Sequence, residues 1–355
     1  MKEDFERLTG ESVDWIVNGS FEDDIVLSTR VRLARNLEDW AFPHWSKEGL
    51  LEKLDSKIKK AVLKTKLLSD ALVIDMDELS DMERMVLAER RLISRNMVKF
   101  FKNRSLIVSE DERLGVMINE EDHLRLYATD AGLSVKKVFS LVNSLDNQLD
   151  KKLNFAFSAR FGYLTACPTN VGTGLRISTL VHLPGLVSNN DIRQVVDGLR
   201  HVRLSVRGTY GEGSEVIGNF FQISNSVTLG LSEIETAENM EMHIKKVIEF
   251  EKKARDSLMK EAHTLLEDRI CRSFGVLKNA RIISSKEAMK LISEVRMGVG
   301  MGIVSGVKLN NLNEMLSRIQ PIHLQQYSGK AMTPDERDIA RADLIRSILK
   351  ENGNR

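Results

Sequence analysis

Residues 25–35 (IVLSTRVRLAR) alternate between apolar and polar side chains. A period of two is typical of a β-strand whose two faces meet different surroundings. One face of this predicted strand carries Leu27, Val31 and Leu33, and the other carries Ser28, Arg30 and Arg32. Short apolar runs predict further strands at 105–109, 114–119, 155–165, 174–183 and 202–208.

Helical spacing dominates the rest of the chain. The segments 47–70, 78–102 and 138–153 predict helices, and from about residue 237 the pattern is mainly helical. The last helix has a clear start, with Thr333 as the cap, Pro334 at the first helical position and Glu336 completing a capping box. Strands interrupted by long helices, without regular alternation, favour an α+β fold followed by a mainly helical C-terminal domain.

Lysine use suggests where the domains divide. Between Leu153 and Gly230 the chain has no lysine but six arginines, whereas the segment from about residue 237 is rich in lysine. We therefore predict a polar, peripheral N-terminal segment (1–23), a strand-containing domain (24–254) and a helical C-terminal domain (255–355).

Composition and charge argue against several classes of protein. Of the 355 residues, 42% are apolar and 29% are charged, which is an ordinary globular balance. The net charge of +1, from 52 basic and 51 acidic side chains, disfavours a generic binder of nucleic acid or acidic membranes. Cys167 and Cys271 lack metal-ligand spacing and fit a reduced, cytoplasmic protein. No apolar run has the length of a signal-peptide core or a membrane span.

The sequence has several arginines on strand-like segments but none of the common nucleotide-binding motifs. The chain has no Walker-type GxxxxGK loop, no GxGxxG turn, no kinase-type HRD or DFG, and no HExxH or CxxC pattern. Arginine presents a rigid fork of donors that matches phosphate oxygens, so arginines from separate strands can hold a polyphosphate without a glycine loop. A solvated sheet face is the simpler interpretation of any single pair, but the whole set favours an anion site.

Two glycine-containing stretches, CPTNVGTGLR (167–176) and RGTYGEG (207–213), and the acidic stretch NEEDHLR (119–125) accompany these arginines. Gly172 and Gly174 permit positive φ or close backbone approach, and amides there could cradle phosphate, although an ordinary loop explains them too. An extended backbone would place Glu121, His123 and Arg125 on one face. The alternative is an exposed helix N-terminus whose acids complement the helix dipole.

The order and approximate spacing of STRVRLAR, NEEDHLR, CPTNVGTGLR and RGTYGE resemble the catalytic domain of phosphagen (guanidino) kinases over residues 24–254. This resemblance implies an antiparallel sheet flanked by helices. The chain looks closer still to the bacterial protein arginine kinases. Only 27 residues precede Ser28, so we expect the helical N-terminal domain of small-guanidine kinases to be missing. In addition, RDIARA (337–342) matches the RDxxRA phosphoarginine-binding motif of the protein arginine kinases.

The resemblance implies a role for each matching residue. Glu121 and Glu212 correspond to the two carboxylates that hold the guanidinium, and Cys167 corresponds to the reactive cysteine beside the acceptor site. Leu180 and Arg91 stand where the family usually has histidines, with His182 two residues after Leu180, so the adenine contacts depart from the family pattern. The implied ATP-binding set is Ser28, Thr29, Arg30, Val31, Arg32, Arg91, Arg125, Arg176, Ile177, Ser178, Thr179, Leu180, Arg207, Gly208, Thr209, Tyr210, Gly211 and Glu212. The implied phosphoarginine-binding set is Arg337, Asp338, Ile339, Ala340, Arg341 and Ala342.

Family resemblance also implies the activity and the partners. We expect transfer of the γ-phosphoryl group of ATP, with Mg²⁺, to arginine side chains of proteins, marking them for Clp-type degradation and inactivating stress regulators. A homodimer, phosphoarginine as an allosteric ligand and an activator protein are implied too, with neither nucleic acid nor membrane as a partner. The alternatives are a kinase of free arginine or another small guanidine, and a non-catalytic phosphoarginine-binding adaptor.

Overall fold

An antiparallel sheet forms the centre of the fold in a computed structural model, which describes Phe5, Leu8, Thr9 and residues 24–208 and 216–351. The strands are β1 (Val26–Arg35), β2 (Leu72–Asp75), β3 (Ser105–Val108), β4 (Leu114–Ile118), β5 (Leu124–Ala131), β6 (Phe157–Ser158), β7 (Gly162–Tyr163), β8 (Leu175–His182), β9 (Leu204–Gly208) and β10 (Phe220–Asn225). Eight of them form one sheet in the order β2-β3-β4-β5-β1-β8-β10-β9, and β6 pairs with β7 in a separate hairpin.

Helices flank this sheet and make up most of the described residues of the C-terminal region. They are α1 (Glu48–Val62), α2 (Asp81–Glu89), α3 (Arg95–Lys99), α4 (Val135–Asp150), α5 (Pro184–Ser188), α6 (Ile192–His201), α7 (Glu233–Glu261), α8 (His263–Asn279), α9 (Ser285–Gly300), α10 (Leu309–Arg318), α11 (Pro321–Ser328) and α12 (Pro334–Glu351). The predicted α+β architecture is thus confirmed. The predicted capping box is present as well, since Thr333 and Glu336 exchange backbone-to-side-chain hydrogen bonds.

The two faces of the sheet meet different surroundings, as the alternation along β1 predicts. Val31 and Leu33 belong to the main apolar cluster, which α1, α4 and α7 complete on one face. The opposite face carries the polar side chains of β1. Leu27 departs from the predicted alternation, because a register shift between Val26 and Ser28 moves it into the cluster formed by the C-terminal helices.

Some predicted elements need correction. The segment 155–165 is not one strand but the short β6–β7 hairpin, and β2, β5 and β10 went unpredicted. Phe5 and Leu8 are buried against the sheet edge together with Ile74 and Met97. The prediction of a peripheral N-terminal segment is therefore wrong for these two side chains.

The C-terminal helices pack directly on the sheet. Their apolar cluster takes in Leu180 and Phe220 from strands β8 and β10. A buried polar junction lies beside it, where Arg255 pairs with Asp24 and with Glu251, the latter at 2.7 Å. Both Glu251 and Arg255 lie within α7, so the helix continues past residue 254, where the domain boundary stays a prediction.

A buried ion-pair network around Arg35 fastens the sheet to its helices. The Arg35 guanidinium donates to Asp146 of α4 at 2.8 Å and to Glu233 of α7 at 3.1 Å. It also donates to the carbonyl of Thr173 at 2.8 Å and stacks 3.5 Å from the ring centroid of Tyr163. Despite its burial, these carboxylates hold the pKa of Arg35 above its ordinary value. Removing one partner of such a buried pair typically costs about 3–5 kcal/mol.

The loop before β8 approaches other backbone so closely that it requires glycine. A Cβ on Gly172 (φ 112°) would lie 2.2 Å from the carbonyl oxygen of Thr228. The Gly172 amide donates to the carbonyl of Tyr163 at 3.2 Å. The close approach predicted for this glycine is confirmed, but its amide already has a protein acceptor and is not open to phosphate.

We expect Gly172→Ala to lower the free energy of unfolding by more than about 3 kcal/mol, because a positive φ and a backbone collision act together. Gly230→Ala is the matched control, since Gly230 also has a positive φ (88°) but nothing lies within 4 Å of the position that an added methyl group would take. The control should lose about 1 kcal/mol. Urea unfolding of both variants measures the difference, and equal losses would contradict the packing of this loop.

Candidate active site

The polar face of the sheet carries a row of arginines supplied by neighbouring strands. Arg32 pairs in register with Arg176 on β8 and with Tyr127 on β5. Paired residues of an antiparallel sheet point to the same side, so Arg32 and Arg176 share one face. Arg30 lies two residues away on the same strand and therefore on the same face. The predicted convergence of arginines from separate strands is thus present in the fold.

Arg30 and Arg32 are held without carboxylate partners in the described structure. The Nε atoms of both side chains are buried, with no hydrogen-bond partner among the described residues. Arg30 instead donates to the carbonyl of Arg91 and lies 4.2 Å from the ring centroid of Tyr127. Burial lowers the pKa of Arg30 to about 10. Burial, followed by the neighbouring arginines, lowers the pKa of Arg32 well below its ordinary value. The Glu120 carboxylate acts on Arg32 but is outweighed by burial and the neighbouring arginines. An anionic ligand would compensate the remaining positive charge.

A cavity of about 770 Å³ lies over this face. Its volume is in the range of small-molecule sites. Glu89 is the one acidic residue among the described residues that line it. The basic residues lining the cavity are Arg30, Arg32, Arg91, Arg95, Lys99, Arg176 and Arg207. The excess of basic over acidic side chains around this cavity favours a polyanionic ligand.

Side-chain alternation along the strands places some members of the predicted ATP-binding set at the cavity and others on the opposite face of the sheet. Those members whose side chains line the cavity are Ser28, Arg30, Arg32, Arg91, Arg176, Ser178, Leu180 and Arg207. Four others are corrected, since their side chains lie on the opposite face of the sheet and do not line the cavity: Thr29, Val31, Ile177 and Thr179. Arg125 does not line the cavity either, and its guanidinium pairs with Glu120 and Glu121 instead. Gly208 is buried at the end of β9, and Thr209, Tyr210, Gly211 and Glu212 lie outside the described residues.

NEEDHLR forms the turn between β4 and β5, neither an extended segment nor a helix N-terminus. Asn119 has a φ of 57°, and its amide donates to the carbonyl of His123 at 3.0 Å. Strand β5 starts only at Leu124, so side-chain alternation does not govern the acids before it. The prediction that Glu121, His123 and Arg125 share the face of one extended strand is therefore wrong.

Within this turn, Arg125 is gripped by two carboxylates. Its guanidinium pairs with Glu120 and with Glu121, each at 2.7 Å. Glu120 is buried and also accepts from the Ser94 hydroxyl at 2.5 Å and the Glu121 amide at 2.8 Å. The Glu121 side chain, by contrast, is 37% exposed. Glu120 is therefore a fixed anchor, while Glu121 presents a carboxylate to an incoming group.

Asp122 holds the loop that carries Cys167, and His123 holds the segment that follows β1. Asp122 accepts from the Asn36 side chain and from the Ala166 amide, both at 2.7 Å. The His123 Nδ1 accepts from the Leu37 amide at 3.0 Å, which leaves its Nε2 to donate to the carbonyl of Ala41 at 2.9 Å. Burial lowers the His123 pKa, so the ring is neutral and structural.

Cys167 lies one residue beyond the Ala166 amide that Asp122 fixes. Its side chain is partly buried, and its sulfur lies 3.0 Å from the Thr169 hydroxyl. The structure thus links the predicted acceptor-site cysteine and Glu121 through a single turn. Neither Asn36 nor Asp122 was identified from the sequence as a positioning residue, although Asn36 directly follows the arginine-bearing strand.

The histidine near the predicted adenine site turns away from the cavity. Leu180 lines the cavity, whereas His182 is fully buried beneath the C-terminal helices. Its Nε2 lies 2.7 Å from the Ser293 hydroxyl, and its Nδ1 lies 3.1 Å from Arg296. Burial, with help from Arg296, lowers the pKa of His182 well below its ordinary value. His182 is therefore a junction residue and does not line the cavity.

The RDxxRA segment occupies the first turns of α12, but its two arginines differ. Arg341 is buried and donates to the carbonyls of Ile319 at 2.9 Å and Ile283 at 3.0 Å, and it pairs with Asp338. Arg337 donates to the carbonyl of Met332 at 3.0 Å and is only partly buried. Arg341 thus has a structural role as it stands, in contrast to the sequence-based picture of two equivalent phosphate ligands. Ile339 is exposed, whereas Ala342 is buried in the C-terminal cluster.

The part of the chain that the structure describes contains neither a cluster of metal-binding side chains nor a membrane-spanning helix. No group of three or more His, Cys, Asp or Glu side chains among these residues is arranged to hold a metal ion. No helix in the same ranges is both long and apolar enough to cross a membrane.

Comparisons with known proteins bear on the whole chain. Residues 53–254 match the ATP:guanido phosphotransferase C-terminal catalytic domain, and residues 263–355 match the protein-arginine kinase McsB C-terminal domain. A protein-arginine kinase of Halothermothrix orenii is 44% identical over 335 residues, which are 94% of this chain and 96% of the relative. Another, of Bacillus subtilis, is 42% identical over 347 residues, covering 96% and 95% of the two chains.

Solved structures share the fold. Lombricine kinase has a TM-score of 0.60 and 26% identity, with 68% of this chain and 70% of that chain covered. A duplicated taurocyamine kinase from Schistosoma mansoni, with bound transition state analog components, also has a TM-score of 0.60. Its identity is 24%, with 76% of this chain and 40% of that chain covered, so it speaks for the fold alone. From its two matched domains and its full-length relatives, the chain belongs to the protein-arginine kinase family, with an ATP:guanido phosphotransferase catalytic domain.

Proposed function

We propose that this protein transfers the γ-phosphoryl group of ATP to arginine side chains of proteins and leaves N-phosphoarginine. The observation that carries the proposal is the row of arginines on one sheet face, which ends at the partly exposed carboxylate of Glu121. Glu121 does not itself line the cavity, but Arg125, which pairs with it, adjoins the arginine face opposite Ala34 of β1. A phosphate donor in the cavity and a guanidinium acceptor at Glu121 would therefore meet beside Arg125. Family membership supports the reaction class, and the relatives named protein-arginine kinase support proteins as acceptors.

Glu121 would overcome the poor nucleophilicity of a guanidinium, which is cationic and delocalised. Its carboxylate orients one nitrogen toward the γ-phosphorus and accepts the proton of that nitrogen as the N–P bond forms. The bond between the γ-phosphorus and the β–γ bridging oxygen breaks, and ADP leaves. Arg125 holds Glu121 in place through their 2.7 Å pair. The second carboxylate predicted for this task is Glu212, which lies outside the described residues.

The arginines would supply most of the electrostatic stabilisation. Phosphoryl transfer spreads negative charge over the equatorial oxygens, so catalysis depends mainly on positioning and preorganised positive charge. Arg30, Arg32 and Arg176 are fixed on paired strands and need little rearrangement. A donor set made of arginines does not ligate a cation, so the ATP phosphates and water would hold Mg²⁺, which supplies further charge neutralisation.

The first test is incubation with Mg-ATP and either casein or free L-arginine, read by mass spectrometry that preserves acid-labile P–N bonds. We expect phosphoarginine on casein and none on free arginine. Glu121→Gln should lower the rate about 10²–10⁴-fold because it removes the proton acceptor, while Mg-ATP still binds. Asp111→Asn, at an exposed turn, is the control and should keep full activity.

Each other outcome of this assay identifies an alternative. Phosphorylation of free arginine would replace the proposal with a small-guanidine kinase. Mg-ATP binding without phosphorylation of either acceptor, even with an activator fraction added, would favour the non-catalytic adaptor.

Arg32→Lys should lower kcat/KM about 10²–10³-fold, because a lysine cannot present two parallel donors to phosphate oxygens. Arg200→Lys is the matched control, since Arg200 lies on exposed α6 with only a surface pair to Asp197. Steady-state kinetics on casein measure both variants. Equal effects of the two substitutions would show that Arg32 contributes only charge.

The RDxxRA segment is proposed to bind phosphoarginine as an allosteric ligand. Arg337 is the accessible phosphate partner, with Asp338 beside it for the guanidinium. We expect Arg337→Ala to weaken phosphoarginine binding about tenfold or more in calorimetry, with little loss of stability. Arg341→Ala should instead lower the free energy of unfolding by about 2–3 kcal/mol, since it strips donors from two buried carbonyls. Unchanged binding in Arg337→Ala would contradict this assignment.

The cellular role is proposed on family resemblance alone. It comprises a cytoplasmic homodimer, an activator protein, and modified substrates that a Clp-type ATPase takes up or that act as stress regulators. Phosphorylation converts a cation into an anion, so salt bridges at a modified arginine invert. Light scattering on the intact protein tests the dimer, and capture of phosphorylated against unmodified casein by a Clp-type ATPase tests the tagging role.

A further inference from the structure

The C-terminal region contributes a wall of the cavity over the arginine face. Gln320, Pro321 and Ile322, at the start of α11, line this cavity together with residues of the sheet and of α2. This wall segment (320–322) lies more than 100 positions along the chain from the strands that carry the arginines. Its neighbours in the cavity include the apolar side chains of Met85 and Ala88.

The wall segment adjoins two apolar clusters, since Ile322 packs against the cluster that contains Tyr127 and the preceding Ile319 belongs to the cluster that contains Leu180. Arg125, which holds Glu121, pairs in register with Ala34, whereas Leu180 pairs with Ser28 at the other end of β1. Six residues of strand separate these two positions, which is about 20 Å. Leu180 belongs to the same apolar cluster as Ile319, which directly precedes the wall segment. A nucleotide whose γ-phosphate faces Glu121 would thus extend toward Leu180, where apolar surface replaces arginine.

Glu89 fastens the wall segment to the catalytic domain. Its carboxylate accepts from the amides of Ile322 at 3.2 Å and His323 at 3.0 Å, and from the His323 ring at 2.7 Å. These amides belong to the first turn of α11, where helices leave N–H groups without internal partners. The negative charge of Glu89 is thereby engaged by the helix and His323, which explains how an acid is tolerated beside a polyanion site.

The anchoring residue also lies next to the phosphate-binding face. Two positions after Glu89, the carbonyl of Arg91 accepts from Arg30. The neighbouring residue, Arg90, is buried and paired with Glu112. Residues 89–91 therefore touch the wall segment at one end and a phosphate-clamp arginine at the other.

We propose that the wall segment 320–322 is the nucleobase-binding surface of the nucleotide site, and that Glu89 is the positioning residue that holds it there. The ligand class is a purine nucleotide, whose flat apolar base would lie between the wall segment and Leu180. The assignment rests on the proposed function only in taking ATP as the nucleotide.

Binding of two ligands to the full-length protein separates the base from the phosphates. The ligands are Mg-ATP and magnesium tripolyphosphate, measured by calorimetry on Glu89→Gln and on Ile322→Ala. We expect the Kd for Mg-ATP to rise about three- to tenfold in both variants, while the Kd for tripolyphosphate stays unchanged. Glu314→Gln is the control, because Glu314 lies on α10 in a pair with Arg318 and does not line the cavity.

Tripolyphosphate binding also reports whether each variant is folded, since the arginines alone hold that ligand. An unchanged Kd for Mg-ATP in both variants would overturn the proposal, as would an equal loss for the two ligands. Neither readout depends on arginine phosphorylation. The proposed kinase function can therefore fail while this pattern appears, and a functional kinase that lacks the pattern would refute this inference alone.

Discussion

The crowding of like charges on one sheet face is the constraint on which the rest of the site depends. Arg30 and Arg32 have buried Nε atoms without partners in the described structure, and burial lowers the pKa of each. Arg30 is held by an aromatic face and a carbonyl, neither of which would compete with phosphate for its charge. A carboxylate partner would stabilise the empty protein but would have to be displaced by each incoming nucleotide.

Such a face is tolerated because stability comes from the opposite side of the sheet. Arg35 lies on the same strand with the other parity, and there its charge is matched by Asp146 and Glu233. The main apolar cluster packs on this second face. Strand β1 thus has arginines available to an anionic ligand on one face and a fully paired arginine, Arg35, on the other. The two glutamates of the acidic turn also differ in role. Buried Glu120 anchors Arg125, and the more exposed Glu121 is available to the acceptor guanidinium.

Local patterns allowed part of this structure to be predicted. The alternation in β1 identified which side chains share the arginine face, and the capping box located the start of α12. The acidic turn could not be read in the same way, because alternation holds only for an extended chain and Asn119 breaks it with a positive φ. Burial of Glu120, Asp122 and His123 was also invisible, since in sequence a satisfied buried charge looks like a solvated one. The predicted ATP-binding set was too wide for a related reason, because it included whole strand segments. Val31 and Thr179 alternate along these strands with side chains that line the cavity, but they face the core.

Contacts between residues far apart in the chain could not be predicted from local sequence patterns. Such contacts also connect the two proposed ligand sites. Arg341 donates to the carbonyl of Ile319, and the next three residues form the wall segment that Glu89 anchors. A phosphoarginine whose guanidinium engaged Asp338 would compete with Arg341 for that carboxylate, and Arg341 is the donor to the backbone immediately before this wall. Any resulting change in nucleotide affinity must be matched by an equal change in phosphoarginine affinity when nucleotide is bound, because coupling between two binding sites is reciprocal. The contacts of buried Arg341 with Asp338 and with the Ile319 carbonyl therefore offer a route by which a ligand on α12 would influence the catalytic domain.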